Sequence, residues 1–248
     1  MHNLAFLVLV LLFGLAIGSF QNVLISRIPK KEFINGRSRC DSCGSKISAF
    51  HNIPIVSYLK LRGKCANCTN EIGTSTLIVE VLTPLLLCLG FWMATDYFRV
   101  IIWFLIVFFG VPLAVIDLKV HRLPNVLSYS FTALILFSLF IQTFHEENFT
   151  NLKGALIQGF ALAFFYLFIR VISRGGMGMG DVKLALPIGL ISGFFGKYMV
   201  YIASYAAFVT GALFAISLLI IKKGSRKYAI PFGPFMIIGL AISYLYVI

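Results

Sequence analysis

Between Phe98 and Asp117 the chain reads FRVIIWFLIVFFGVPLAVID, twenty residues with no charged side chain between Arg99 and Asp117. A helix of that length covers about 30 Å, the thickness of a bilayer's hydrocarbon core. It also satisfies its own backbone hydrogen bonds, which is the condition for crossing lipid. Comparable apolar runs lie near 4–25, 75–94, 124–144, 153–173, 183–197, 198–221 and 229–247. The expected fold is therefore an all-α polytopic membrane protein with about eight transmembrane helices. The run at 183–197 is short and glycine-rich, the weakest of the eight as a full crossing. Composition agrees with this reading. Of 248 residues, 59% are hydrophobic and 12% charged, and the mean hydropathy is +0.93. A soluble domain would carry about a quarter charged residues, so the composition speaks against a soluble enzyme or a nucleic-acid module.

The net charge of +12 needs no nucleic acid either, because basic residues in membrane proteins collect in cytoplasmic loops that face anionic headgroups. The first run has no Lys or Arg before it and no small-residue cleavage site after it, so it reads as a retained helix, not a signal peptide. With the N-terminus outside and eight crossings, the loops 26–74, 117–123, 170–183 and 222–228 face the cytoplasm. They hold eighteen of the 21 Lys and Arg residues, leaving only Arg99, Lys153 and Lys197 elsewhere. The outer loop around Glu146 and Glu147 is acidic, as the positive-inside rule requires. No internal repeat is evident. Three segments follow from composition: a first transmembrane helix at 1–26, a polar and basic cytoplasmic domain at 27–74, and a multi-helix transmembrane domain at 75–248.

The polar domain contains Cys40-Asp41-Ser42-Cys43 and Cys65-Ala66-Asn67-Cys68. Two C-x-x-C knuckles at this spacing read as a tetrahedral zinc site with Cys40, Cys43, Cys65 and Cys68 as ligands. The alternatives are disulfides or free thiols, and a reducing cytoplasm disfavours the first. Four cysteines leave no position open for water, so the metal is structural. Cys88, in the middle of an apolar run, reads as packing. The sequons at Asn67 and Asn148 are chance matches.

Three of the nine acidic residues lie in or at the border of apolar runs: Glu80, Asp117 and Asp181. A carboxylate there is costly unless neutralised or paired, which makes it a functional candidate by default. Asp181 follows the glycine-rich run Gly175-Gly176-Met177-Gly178-Met179-Gly180, where missing side chains let another strand approach closely. If Asp117 and Asp181 meet, one stays protonated while the other acts as base, the arrangement of an aspartic protease. The bland alternative has Asp117 paired with Lys119, Arg122 or a lipid headgroup, and Asp181 capping a helix.

Gly178-Met179-Gly180-Asp181 with Lys183 resembles the GxGD signature of membrane aspartic proteases. Three further motifs accompany it: Gly18-Ser19-Phe20-Gln21-Asn22-Val23 with Arg27-Ile28-Pro29, then Asn52-Ile53-Pro54 with Leu61-Arg62-Gly63-Lys64-Cys65, and finally Pro231-Phe232-Gly233-Pro234. Together with Asp117 and the four cysteines, the set resembles the type IV prepilin peptidases over nearly the whole chain. The resemblance implies removal of a short basic leader from pilin-like precursors at the cytoplasmic face, with Asp117 and Asp181 as the catalytic pair. Gly178, Gly180 and Lys183 then belong to the active-site loop. It also implies methylation of the new N-terminus with S-adenosylmethionine in many members, and Glu80 matches an acidic position with a possible substrate or methyl-transfer role. The first knuckle departs from the pattern, because Asp41 stands where a proline is common.

The implied location is the cytoplasmic membrane, and the implied partners are pilin-like precursors and membrane lipid. Pro231 and Pro234 interrupt the last apolar run near its start, where freed backbone suits the border of a cavity. His51 and His121 read as interfacial side chains. A transporter using the aspartates as an ion or proton path is the alternative, and a non-catalytic assembly subunit docking through the cysteine domain is a third reading.

Overall fold

The computed structural model describes residues 4–40, 42–48, 50, 53–174, 176–221 and 230–248. Gly175, Asp41, His51, Asn52 and the basic loop 222–228 lie outside the described residues. Among those described there are nine helices: α1 (Leu4–Arg27), α2 (Val56–Lys60), α3 (Thr74–Met93), α4 (Tyr97–Val120), α5 (Asn125–Glu146), α6 (Phe149–Ile172), α7 (Met179–Phe195), α8 (Lys197–Ile221) and α9 (Gly233–Leu245). The protein is all-α and multi-pass. Each of the eight apolar runs is a helix, and six of these (α1, α3, α4, α5, α6 and α8) are long and apolar enough to cross a bilayer.

The chain divides into two compact units, Met1–Met93 and Ala94–Ile248. The composition boundaries at 26/27 and 74/75 separate polar from apolar chain, a different division from this one, which follows packing. In the first unit α1 and α3 form an antiparallel hairpin. A Cβ on Gly14 would lie 2.6 Å from Pro84 Cα, and one on Gly18 would lie 3.1 Å from Glu80 Cα. Toward the far end Phe6 stacks on Phe91. Small residues let membrane helices approach this closely. The motif around Gly18 supplies the polar seam of the hairpin, where Thr83 donates to Gln21 Oε1 and Asn22 Nδ2 donates to the carbonyl of Thr76 at 3.1 Å.

The second unit is built around α4 and α7. Trp103, Leu113 and Ile116 of α4 and Leu184, Leu190 and Ile191 of α7 are fully buried. The glycines that made α7 look weak in sequence are its contact surface. A Cβ on Gly189 would meet the Gln158 carbonyl of α6 at 2.7 Å, and one on Gly193 would meet Gln158 Cβ at 2.6 Å. α8 and α9 approach through Gly239, whose missing side chain makes room for Ala203 and Ala207. The proline motif does not interrupt the last helix as the sequence suggested: α9 begins at Gly233 with Pro234 in its first turn, where a proline costs no backbone hydrogen bond.

Candidate active site and four-cysteine centre

Asp117 lies in the last turn of α4, which ends where His121 takes a left-handed conformation (φ 54°). Asp181 lies in the first turn of α7. Both carboxylates are buried. Each accepts a backbone N–H from a glycine: Asp117 Oδ2 from Gly233 at 2.9 Å and Asp181 Oδ2 from Gly178 at 3.2 Å. Neither forms an ion pair among the described residues. The capping alternative thus describes one contact of Asp181, and Asp117 makes no ion pair with Lys119 or Arg122 among the described residues.

Close approach explains the glycines. A Cβ on Gly233 would lie 2.8 Å from Asp117 Oδ2 and 3.2 Å from Leu123 Cδ2, and one on Gly180 would lie 2.8 Å from Leu123 Cβ. Leu123, just beyond α4, therefore packs against the glycines that flank both carboxylates. α6 closes another side: Arg170 donates to the carbonyl of Met177 in the glycine-rich segment. Tyr166, one turn earlier, is buried and packs its ring on Phe232 with centroids 6.2 Å apart.

Gly178 and Gly180 are brought to the carboxylates. Lys183 is not: its Nζ donates to Asn125 Oδ1 at 2.8 Å and lies 5.3 Å from the Tyr129 ring, so it ties α7 to α5. Leu123, Tyr166 and Arg170 were missed in sequence. Only Arg170 carried a signal, as a cation inside an apolar segment. Asp96, which caps α4 by accepting from the Arg99 N–H at 2.9 Å, marks the opposite end of the helix, about 30 Å from Asp117 by helical rise.

In the first unit the four cysteine sulfurs lie within 4.8 Å of one another. The Cys40 and Cys68 sulfurs are 3.8 Å apart, and a tetrahedron with metal–sulfur bonds of about 2.3 Å has edges of about that length. The donor set fits a closed thiolate site. The two knuckles share one backbone pattern: Cys40 N–H donates to the Ser45 carbonyl at 3.0 Å, Cys65 N–H to that of Asn70 at 2.9 Å, and Gly44 and Thr69 donate back to Cys40 and Cys65. This is a short repeat that the sequence did not reveal. The Asn67 N–H donates to the Cys65 sulfur at 3.5 Å, a contact that favours the thiolate metal binding needs. Glu80 is buried in the hairpin and accepts the Ile55 N–H at 2.7 Å.

Comparison with known proteins identifies the class. Residues 99–216 match the type IV leader peptidase family, and residues 12–94 match the bacterial peptidase A24 N-terminal domain. The chain belongs to the type IV leader peptidase family, and it is a membrane peptidase. It is 33% identical to a prepilin leader peptidase/N-methyltransferase of Vibrio cholerae, over 96% of each chain. A protein of the same description from Pseudomonas aeruginosa is 30% identical over 99% of this chain and 92% of its own. One from Dichelobacter nodosus is 31% identical over 95% and 90%. No solved structure shows significant similarity to the chain. The transporter alternative finds no support in these relationships.

Proposed function

We propose that the protein is an aspartic endopeptidase that cleaves the leader from type IV prepilin-like precursors, with Asp117 and Asp181 as its catalytic pair. The observation that carries this is a pair of buried carboxylates at the end of α4 and the start of α7, each held by a glycine N–H, with Leu123 packed against the glycines beside both. One carboxylate, ionised, takes a proton from water as its oxygen attacks the scissile carbonyl carbon. The other, protonated, donates to the carbonyl oxygen. When the tetrahedral intermediate collapses, the C–N bond breaks and the leaving amine takes up a proton from the pair. Gly178 and Gly233 bring their N–H groups up to the carboxylates, Gly180 lets Leu123 close against the site, and Lys183 positions α7 from outside.

The site lies wholly within Ala94–Ile248. The basic loops support a location at the cytoplasmic face of the cell membrane. The four cysteines hold one structural zinc ion. Methylation of the new N-terminus with S-adenosylmethionine is a second activity, supported by the relatives' names, with Glu80 as its acidic candidate.

The test is co-expression with a prepilin, scored by mass. Asp117→Asn and Asp181→Asn each lose leader removal by at least about a hundredfold with unchanged membrane insertion and metal content, while Asp96→Asn cleaves normally. Wild-type cleavage by either variant overturns the pair. Leader removal without methylation rejects the second activity alone.

A further inference from the structure

The loop between α1 and α3 has both ends fixed at one end of an antiparallel hairpin of membrane-crossing helices, at Arg27 and Thr74. It is held down further than its ends require. Glu80 lies six residues into α3, about 9 Å along the axis from Thr74, and its carboxylate, reaching back toward the helix start, accepts the N–H of Ile55. Ile55 has a positive φ (63°, with ψ −52°), unfavourable for a β-branched residue, so a tertiary contact fixes the chain there. The segment around Ile55 is therefore held against the first two turns of α3, a helix long and apolar enough to cross a bilayer.

That segment shows apolar side chains outward at every third residue. Phe50 is 82% exposed, Ile53 45%, Val56 56% and Leu59 64%. Val56 and Leu59 share one face of α2, three residues apart. Lys60, Arg62 and Lys64 follow, all exposed, and no acidic residue lies between Phe50 and Lys64. Near the other end of the loop, Arg27 donates to the carbonyls of Phe33, Ile34, Asn35 and Arg37. This pins a turn at the end of α1 where Lys30 and Lys31 are exposed and Phe33 is 91% exposed. Apolar side chains interleaved with cations, tethered to the first turns of such a helix, are the makings of an interfacial anchor.

We propose that this loop is a membrane-surface element: Phe50, Ile53, Val56 and Leu59 enter the headgroup–acyl boundary, and Lys60 and Arg62 bind anionic lipid headgroups. The occupant is lipid and not the precursor, because a basic leader is repelled by the same cations that attract anionic lipid. The metal centre is thereby held close to the bilayer.

The test places the full chain in nanodiscs with benzoylphenylalanine at position 59, and reads photo-adducts by mass. The expected product is a phospholipid adduct, several-fold more abundant with phosphatidylglycerol than with phosphatidylcholine alone, and reduced several-fold in a Lys60→Gln/Arg62→Gln background. In the unsubstituted protein, amides of 53–64 exchange more slowly in the phosphatidylglycerol discs. A precursor or second protein chain as the main adduct, no lipid adduct with normal metal content, or equal exchange in both discs overturns the proposal.

Discussion

The cysteine loop and the aspartate-bearing unit hold their chemistry in place by opposite means. Between residues 28 and 73, Gly63 is the only described residue that is buried. The loop has no apolar core, and its order rests on four sulfurs, the Arg27 guanidinium and the Ile55–Glu80 contact. Ala94–Ile248, by contrast, packs Trp103, Leu113, Phe131, Leu184 and Leu240 away from all solvent and lipid. Its two carboxylates sit at helix ends fixed by glycine contacts. A ligand-built site fails when its ligand leaves, whereas a packing-built site fails when a methyl group is added.

Metal removal separates the two most sharply. A structural zinc site supplies on the order of 10 kcal/mol of folding free energy, more than a loop without a core can replace. Chelation of the purified protein, or Cys65→Ser, should deprotect the amides of 28–73 in hydrogen exchange while those of α4 to α9 keep their protection. Loss of protection in both regions together would end the contrast.

The reverse perturbation adds one carbon to the packed unit. Gly189→Ala places a Cβ 2.7 Å from the Gln158 carbonyl oxygen and 2.8 Å from Gly159 Cα, and backbone cannot rotate aside as a side chain can. Overpacking of this kind costs about 1–3 kcal/mol. The thermal midpoint of the second unit should fall, with the metal content of the loop unchanged.

What could be read in the sequence divides along the same line. The crossings were legible because lipid-facing helices must be apolar over their whole length. The four ligands were legible because a metal dictates both residue type and spacing. α7 looked too short and glycine-rich because hydropathy scores lipid exposure, and this helix faces protein nearly all round, with Gly189 and Gly193 spent on contact. Asp117 and Asp181 stood out as costly charges, but nothing local could show that Leu123 and Gly233 would lie beside them. The resemblance puts Lys183 in the active-site loop together with Gly178 and Gly180. A residue two places along a helix points elsewhere, and in the fold it reaches Asn125. The knuckle repeat stayed hidden because Gly44 and Thr69 occupy equivalent positions with unlike side chains.

Gly233→Ala tests the packed unit at its chemistry. The added Cβ falls 2.8 Å from Asp117 Oδ2, so the carboxylate must shift or lose the Gly233 N–H. A displacement on the order of 1 Å can cost about a hundredfold in rate. Leader cleavage should therefore slow by about ten- to a hundredfold, measured as initial rate in detergent, with the thermal midpoint little changed. Wild-type turnover would mean that the carboxylate tolerates displacement and that its position is not set by packing.

The smallest effect belongs to the knuckles and asks whether their shared backbone pattern is shared energetically. Gly44 (φ 69°) and Thr69 (φ 58°) are both left-handed, each four residues after the first cysteine of its pair. A β-branched residue pays about 1–2 kcal/mol for that conformation, while glycine pays nothing sterically but has more freedom to lose on folding. Thr69→Gly should therefore tighten metal binding by a few-fold at most, since the entropy of the unfolded loop offsets part of the relief. Gly44→Thr should loosen it by about tenfold, the equivalent of 1.4 kcal/mol. No atom lies within 4 Å of a Cβ built on Gly44, so any loss there is conformational and not a clash. Competition against a chromophoric chelator reads both. Equal affinity for the wild type and Gly44→Thr would show that the first knuckle bears no backbone strain at this position, and that the two halves of the site, alike in hydrogen bonds, are held by different forces.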